Sequence, residues 1–338
     1  MTAHWVTLFT KRTFAALTTA LAIPLAVALV TTGAAAQDPA ATYPNRPIRI
    51  MVPYAAGGGI DVLARLIGQK LSESLGQPVV VENKPGASGE LAAEYVKNAA
   101  PDGYTLMVTS NGPMAVSPAI NAKLRYSPLR DFAHIGLIAS FLLVLVVNNE
   151  LPIRTVSEFV AYAKANPDKA NYAEPSVAFQ LVMEKLKQKT GAPLQLIPYK
   201  SSSEAVTTVI AGTTIATLVD SGPATGAIKG GRVRALAITS AARSPEFPDV
   251  PTMVEAGFPE MSISFWSAML APAGVPPSIV KKLEGELVRI VKLPDIQQRM
   301  TSMAEVPEGR PGEETRRFVE DQIAMFAAIA RAANIKRD

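Results

Sequence analysis

The chain has 338 residues, with 33 Lys and Arg against 29 Asp and Glu for a formal net charge of +4, and no cysteine. That length exceeds one small core and suits two lobes, while so small a charge excess, without any Lys/Arg run, excludes a nucleic-acid partner. The lack of cysteine excludes disulfides and thiolate metal sites, and a chain of this size buries enough apolar surface to fold without them.

Taken in chain order, the first element is a leader. Lys11 and Arg12 precede an apolar stretch over residues 14–30, and Ala34, Ala35 and Ala36 offer a small-residue cleavage site before Gln37. This is the pattern of a secretory signal peptide over residues 1–36. An uncleaved anchor is the competing reading, since the stretch is near the lower limit for a spanning helix. The A-x-A site favours cleavage and places the mature chain in the periplasm. Without Lys11 and Arg12 the mature chain is only mildly basic.

The mature chain repeats one cadence of strand, small-residue turn and helix. "PIRIMVPY" reads as a strand, followed by three consecutive glycines and a helix from about Ile60. Ile60, Leu63, Ala64, Ile67 and Leu71 share one face of that helix, and Gly76 is placed to end it. "QPVVVEN" and "GYTLMVTS" are further strands, each leading into a helical stretch. Strands alternating with helices argue for a parallel, doubly wound sheet. "IGLIASFLLVLVV", residues 135–147, is too short to cross a membrane and reads as buried strand.

A second set follows. Thr155-x-x-Glu158 and Ser201-x-x-Glu204 are capping boxes opening two helices. Between them lie the strand and turn "NYAEPS", a helix "VAFQLVMEKLKQ" and the strand "LQLIPYK". "ATLVD" and "RVRALAITS" are later strands, and beyond Pro245 come prolines and two C-terminal helices. The chain is expected to leave the first lobe within residues 140–143 and return within 235–240, through a two-strand hinge. Lobe 1 is then 37–141 with 237–338, and lobe 2 is 142–236.

The chemistry available is narrow. The mature chain has one histidine, His134, beside an apolar run and expected to be structural. "GASG" is not a nucleophile elbow. "GGGID" lacks both the Lys-Ser/Thr of a phosphate loop and the spacing of a dinucleotide fingerprint. No cofactor or metal is implied. What remains is anion capture by backbone: the turn at residues 57–59 leads into a helix N-terminus, where N–H groups and the helix dipole favour a carboxylate. Each such contribution is on the order of 1 kcal/mol, and a micromolar ligand needs about 8 kcal/mol. A second turn must therefore contribute, and "EPSVAF", with Ser176 as N-cap, is the candidate. Asp61 has two readings: a first-turn residue serving its own helix N-terminus, or an acceptor for a ligand amine or bridging water.

"YPNRPIRIMVPYAAGGGIDVLARLIGQKLSESLGQPVVVENKPGASGELAAEYV", "PDGYTLMV", "RVRALAITSAARSPEFPDVPTMVEAGFP" and "LAPAGVPP" resemble the Bug-type extracytoplasmic solute receptors, the binding components of the tripartite tricarboxylate transporter family. The resemblance covers essentially the whole mature chain. It implies an α/β, two-lobed periplasmic binding protein of type II, a Venus flytrap that closes on a small organic carboxylate. It also implies membrane transporter subunits as partners, no enzymatic activity and a monomer. Carried onto this sequence, the first ligand loop is Tyr54, Ala55, Ala56, Gly57, Gly58, Gly59 and Asp61. Pro175 and Ser176 form the second, and Ser110, Asn111, Lys200, Ser201, Asp220 and Ser221 line the cleft.

The chain departs from the family's pattern in the second lobe. The loop after "NYA" is compact and lacks the usual Gly/Ser-rich length, and "PYKS" stands for the usual "PYKG". Phe179 either widens the ligand range toward apolar or aromatic acids or packs in the core. Lys200 pairs with a second carboxylate or is solvated, Ser201 is a contact or a helix cap, and Trp266 lines the cleft or lies in the core. Dicarboxylates, tricarboxylates, acidic amino acids and aromatic acids all fit the expectation. A carboxylate sensor serving a signalling partner and an exported α/β hydrolase are the rival functions.

Overall fold

The computed structural model describes residues 38–336, so the signal-peptide reading of residues 1–36 lies outside the described residues. The first three strands are β1 (Ile48–Val52), β2 (Val79–Asn83) and β3 (Thr105–Ser110), joined by helices α1 (Gly59–Leu75) and α2 (Glu90–Lys97). A π-turn over Gly112–Val116 and the short α3 (Ser117–Ile120) lead to β4 (Phe132–Phe141) and β5 (Leu143–Asn148). Then come α4 (Val156–Ala165), β6 (Asn171–Glu174), α5 (Val177–Thr190), β7 (Gln195–Pro198), α6 (Ser202–Ile210), β8 (Ala216–Asp220), α7 (Ser221–Lys229) and β9 (Val233–Ile238). The chain closes with β10 (Phe265–Pro272), α8 (Pro277–Val291), α9 (Pro294–Ser302), β11 (Glu305–Pro311) and α10 (Gly312–Ala332).

Local chemistry explains the boundaries. Leu63, Ala64, Ile67 and Leu71 are fully buried on one face of α1, and Gly76 ends the helix in the left-handed region at φ 69°. Each such leucine or isoleucine contributes roughly 1.5–3 kcal/mol on burial. The Thr155 hydroxyl accepts the Glu158 N–H at 3.1 Å, and the Glu158 carboxylate reaches back to the Arg154 N–H at 2.6 Å.

There are two sheets, with strand orders β11-β4-β10-β3-β1-β2 and β7-β6-β8-β5-β9. Each contains three parallel strands in the same arrangement, β2-β1-β3 and β7-β6-β8. The expectation of a parallel sheet holds only for these triplets. β10, β4 and β11 continue one sheet antiparallel, and β5 and β9 continue the other. The reason is topological: β4, β5, β9 and β10 flank the crossings between lobes, so their direction is set by those crossings rather than by a helical crossover.

The apolar run at 135–147 is two strands in different sheets, broken at Leu142. The second crossing leaves β9 and reaches β10 through residues 239–264. The crossings are tied side by side, since the Leu143 N–H donates to Thr239 Oγ1 at 3.0 Å and the Thr239 N–H to the Leu143 carbonyl at 2.9 Å. α1 and α8 cover one face of the first sheet, and α6 and α7 one face of the second. The remaining faces share one apolar core that runs from Met107 and Trp266 to Tyr172 and Leu218.

Candidate functional site

In each parallel triplet the first strand lies in the middle, so successive connections go to opposite sides. The crevice at such a switch point, outside the carboxyl ends of the strands, is where open α/β sheets bind ligands. In the first lobe that places the turn after β1 beside the end of β3. In the second it places the turn after β6 beside the end of β8.

After β1 the chain passes Tyr54 and then Ala55, Ala56, Gly57, Gly58 and Gly59, all five exposed. Gly57 has φ +83°, where a Cβ is strained, so the turn requires glycine there. Gly58 is the N-cap of α1 and has no side chain to cap it. The N–H groups of Gly59, Ile60 and Asp61 stand in the first turn, where helix geometry supplies no acceptor. They sit at the positive end of the helix dipole.

Asp61 has partners in and around its own loop. Only 2% of it is exposed, and its carboxylate accepts the Gly57 N–H at 2.8 Å, Arg65 Nε at 3.1 Å and Asn83 Nδ2 at 2.8 Å. Asn83 also donates to the Tyr54 carbonyl at 3.0 Å. Burial pushes Asp61 up, but Arg65, the Gly57 N–H and Asn83 together outweigh it and hold its carboxyl below the usual value. Asp61 is thus a clamp that fixes the glycine turn. It also occupies the Gly57 amide, and the Gly58 N–H donates to the Ala55 carbonyl at 3.4 Å, so of the three glycines only Gly59 keeps an amide without an acceptor among the described residues.

Tyr54 Oη lies 2.5 Å from Ser110 Oγ, joining the ends of β1 and β3. Burial pushes the phenol up to about 12, against the lowering effect of Ser110. Asn111 is 1% exposed; its Oδ1 accepts the Trp266 N–H at 3.5 Å, and its Nδ2 has no partner among the described residues.

In the second lobe several expected contacts are used internally. Ser176 Oγ caps α5 by accepting the Ala178 N–H at 3.3 Å, and the Ser176 N–H donates to the Glu174 carboxylate. Pro175, just before it, is half-buried. Ser201 Oγ accepts the Glu204 N–H at 3.2 Å, and the Glu204 carboxylate accepts the Lys200 N–H at 3.0 Å, a reciprocal capping box. The Lys200 side chain is exposed. Asp220 accepts from Ser202 Oγ, and Ser221 is buried at the start of α7. Phe179 is 8% exposed and packs edge-on against Phe265, as a core residue does. Trp266 is fully buried and likewise belongs to the core.

One residue that the sequence reading missed completes the arrangement. Glu305, at the start of β11, is 7% exposed, and a Cβ placed on Gly59 would lie 3.9 Å from its Oε1. A Cβ placed on Gly222, in α7, would lie 3.9 Å from the Met303 carbonyl. The two lobes therefore approach each other where the α1 turn, the α9–β11 turn and the β8–α7 turn meet. Burial pushes Glu305 up to about 8, and the Asp220 charge adds to this. Asp220 is raised by burial. Glu174 also reaches about 8 through burial, opposed by the Ser176 N–H. The signal that pointed to Glu305 was weak: "MAEVPEGRPG" contains four breakers, two prolines and two glycines, and no strand alternation.

His134 is 6% exposed on β4, paired across from Leu270, and neither ring nitrogen has a partner among the described residues. Burial pushes it down to about 4, so it is a neutral imidazole in a sheet rather than a base beside a nucleophile.

A family model described as the tripartite tricarboxylate transporter family receptor, TctC, matches residues 63–335. Protein BugT of Bordetella pertussis is 35% identical over 321 residues, which cover 94% of this chain and 98% of BugT. Among solved structures, R. palustris Rpa4515 with adipate is 30% identical with a TM-score of 0.81, over 87% of this chain and 99% of that one. MatC (Rpa3494) from Rhodopseudomonas palustris with bound malate is 31% identical with a TM-score of 0.77, over 85% of this chain and 99% of that one. With two α/β lobes, facing switch points and this match along most of its length, the chain belongs to the TctC, or Bug-type, receptors of the tripartite tricarboxylate transporter family, which are solute-binding proteins and not enzymes.

Proposed function

We propose that this receptor works in the periplasm as a monomer, captures a small organic carboxylate between its lobes and delivers it to the membrane subunits of a tripartite transporter. The observation that carries the reading is that the Gly59 turn and Glu305, both of the first lobe, lie beside Met303, whose carbonyl is 3.9 Å from a Cβ placed on Gly222 of the second lobe. A ligand carboxylate at the α1 N-terminus accepts the outward amides of the first turn. The second lobe supplies the remaining contacts, because one turn falls short of the roughly 8 kcal/mol that micromolar affinity needs. Closure is favoured by the ligand only through its greater affinity for the closed state. The clamp at Asp61 keeps the turn in one conformation, which lowers the ordering cost of binding.

The adipate and malate named for the two solved relatives support a carboxylate ligand here. The test is calorimetry and thermal unfolding of the mature chain against adipate, malate, citrate, acidic amino acids and aromatic acids. A cognate acid at a hundredfold excess over its Kd is expected to stabilise the fold by about 2.7 kcal/mol. Neither heat nor stabilisation from any acid in the panel overturns the reading.

A further inference from the structure

We propose that β2 is a docking edge: an extended segment of the transporter's membrane subunits adds to it as a further strand, seating an apolar side chain against Leu91 and Tyr95 and a carboxylate on Lys84. The inference rests on the receptor reading for its partner and adds the surface on which that partner sits.

The backbone is the first argument. β2 ends its sheet and pairs only with β1, in parallel register. The Ile48 N–H donates to the Pro78 carbonyl at 2.9 Å, and the Lys84 N–H donates to the Val52 carbonyl at 2.8 Å. The ladder therefore uses residues 78, 80, 82 and 84, and the period of a strand turns the N–H and C=O groups of Val79, Val81 and Asn83 outward. None of these has a backbone partner among the described residues. Sheet edges in proteins are ordinarily blunted or covered, and the other three here are. β11 carries Pro307 and Pro311 and a break in register. β7 is four residues long and ends at Pro198, and β9 is joined on its outer side by residues 251–253. β2 has neither proline nor bulge, and its one charge, Glu82, is held by Arg49 through two bonds of 2.6 and 2.7 Å.

The side chains are the second argument. Val79 and Val81 lie against α1, where a Cβ on Gly68 would stand 3.3 and 3.4 Å from them. Val80 is opposite Arg49 in register and so faces the other way, toward α2, where Arg49 Cζ is 5.7 Å from the centre of the Tyr95 ring. Val80, Leu91 and Tyr95 are 46%, 47% and 36% exposed, three of the five large apolar side chains left so open among the described residues. Beside them is a groove of about 470 Å³ lined by Lys84, Leu91, Glu94, Tyr95, Asn98 and Ala99. Glu94 has Arg125 at 4.0 Å, whereas Lys84 has the Tyr95 ring at 5.1 Å and no carboxylate among the described residues. An uncompensated cation beside an apolar wall is complementary to a strand that carries both apolar and acidic side chains.

Position and charge name the occupant. Asn83, the last residue of β2, donates from its side chain to Asp61 and to the Tyr54 carbonyl. A strand paired with its backbone is therefore one residue from the ligand turn, the place where a subunit that receives the ligand has most to gain from contact. A second copy of this chain would bring the valines but no free carboxylate for Lys84, since Glu82 and Glu94 are both already paired.

The experiment measures amide hydrogen exchange, residue by residue, in the mature chain with and without the transporter's membrane subunits in lipid nanodiscs. Strand addition is expected to slow Val79, Val81 and Asn83 by about tenfold or more, while Val80 and Glu82, already bonded to β1, change little. Lys84→Glu and Tyr95→Ala are each expected to weaken binding of the subunits by about tenfold or more. Both variants should keep the wild-type circular dichroism and, by calorimetry, wild-type acid binding, since neither residue belongs to the ligand loop. Unchanged exchange at the three amides on saturation with the subunits, or wild-type binding of the subunits by both variants, overturns the inference and leaves acid capture standing. Slowing of the same amides as the mature chain alone is concentrated gives the edge to a second copy and overturns it as well. Failure of the subunits to bind at all does the same, and only together with silence from every acid does it overturn the receptor reading too.

Discussion

The ring of Phe179, on α5, meets the ring of Phe265, on β10, edge to face, with centroids 5.1 Å apart and planes at 83°. Phe265 also touches Phe141 at 5.8 Å and Phe326 at 6.2 Å. The lobes therefore share a continuous apolar core beside the crossings. Truncating Phe179 to alanine is expected to cost about 3–5 kcal/mol, as buried Phe→Ala changes do, with Phe179→Leu costing less. Urea unfolding of the unliganded variants measures this. Wild-type stability in Phe179→Ala, together with an altered preference among aromatic acids, would return Phe179 to the ligand site.

Asp61 is expected to govern the shape of the glycine turn. Asp61→Ala leaves Asn83 and the Gly57 N–H without their carboxylate and is expected to cost roughly 1–3 kcal/mol. It should weaken carboxylate binding as the turn loses its single conformation. Asp61 is held below its ordinary value of 3.8, burial being outweighed by Arg65, Gly57 and Asn83. Its stabilising contribution is therefore present above that ordinary value and is lost as pH falls through the depressed one. Asp61→Asn should flatten that acid limb of the stability curve. An unchanged limb in the variant would show that the carboxylate is not clamped.

Glu305 and Glu174 predict the opposite sign. Burial raises each to about 8 from an ordinary 4.5, with Asp220 acting on Glu305 and Glu184 on Glu174. Between those values the folded chain binds more protons than the unfolded one, so their contribution to stability is fully present below 4.5 and is lost as pH rises toward 8. The unliganded protein should lose stability across that window, and Glu305→Gln and Glu174→Gln should each reduce the slope. Denaturant midpoints at pH 5, 6.5 and 8 test it, and a slope identical in wild type and both variants counts against buried, raised carboxyls.

The parts of this protein legible in its sequence are those written by local chemistry. Thr155, Ser176 and Ser201 cap the helices they precede, because a short side-chain oxygen at that position meets an amide two or three residues on. Gly57 and Gly76 mark positive φ for the same local reason. Long-range pairing left no such trace. β11 is rich in breakers and is held by β4, far earlier in the chain, so neither the strand nor the placing of Glu305 followed from its own residues. Phe179 shows the limit on apolar residues: its spacing in α5 fixed the face, while its tertiary partner Phe265 left no trace in the local sequence. Ser176 and Ser201 read equally as caps and as contacts in the sequence; each Oγ accepts a cap N–H, and its O–H stays available to donate.

The contact between Tyr54 and Ser110 gives the last test, because it ties β1 to β3 at the switch point. A Cβ on Gly112 would stand 2.9 Å from Tyr54 Oη, too close for both to remain. Gly112→Ala must therefore displace the phenol from Ser110, shifting the start of the ligand loop without touching any of its glycines. Tyr54→Phe removes the hydrogen bond but keeps the ring, and is expected to cost about 1 kcal/mol. If the tie positions the loop, Gly112→Ala should weaken carboxylate binding more than Tyr54→Phe does. The phenol, pushed up to about 12 by burial, stays protonated across the working range, so the effect of either change on affinity should be the same at pH 6 and pH 8. Calorimetry on both variants at the two pH values decides it: equal affinity in Gly112→Ala and wild type would mean the loop is set by the Asp61 clamp alone.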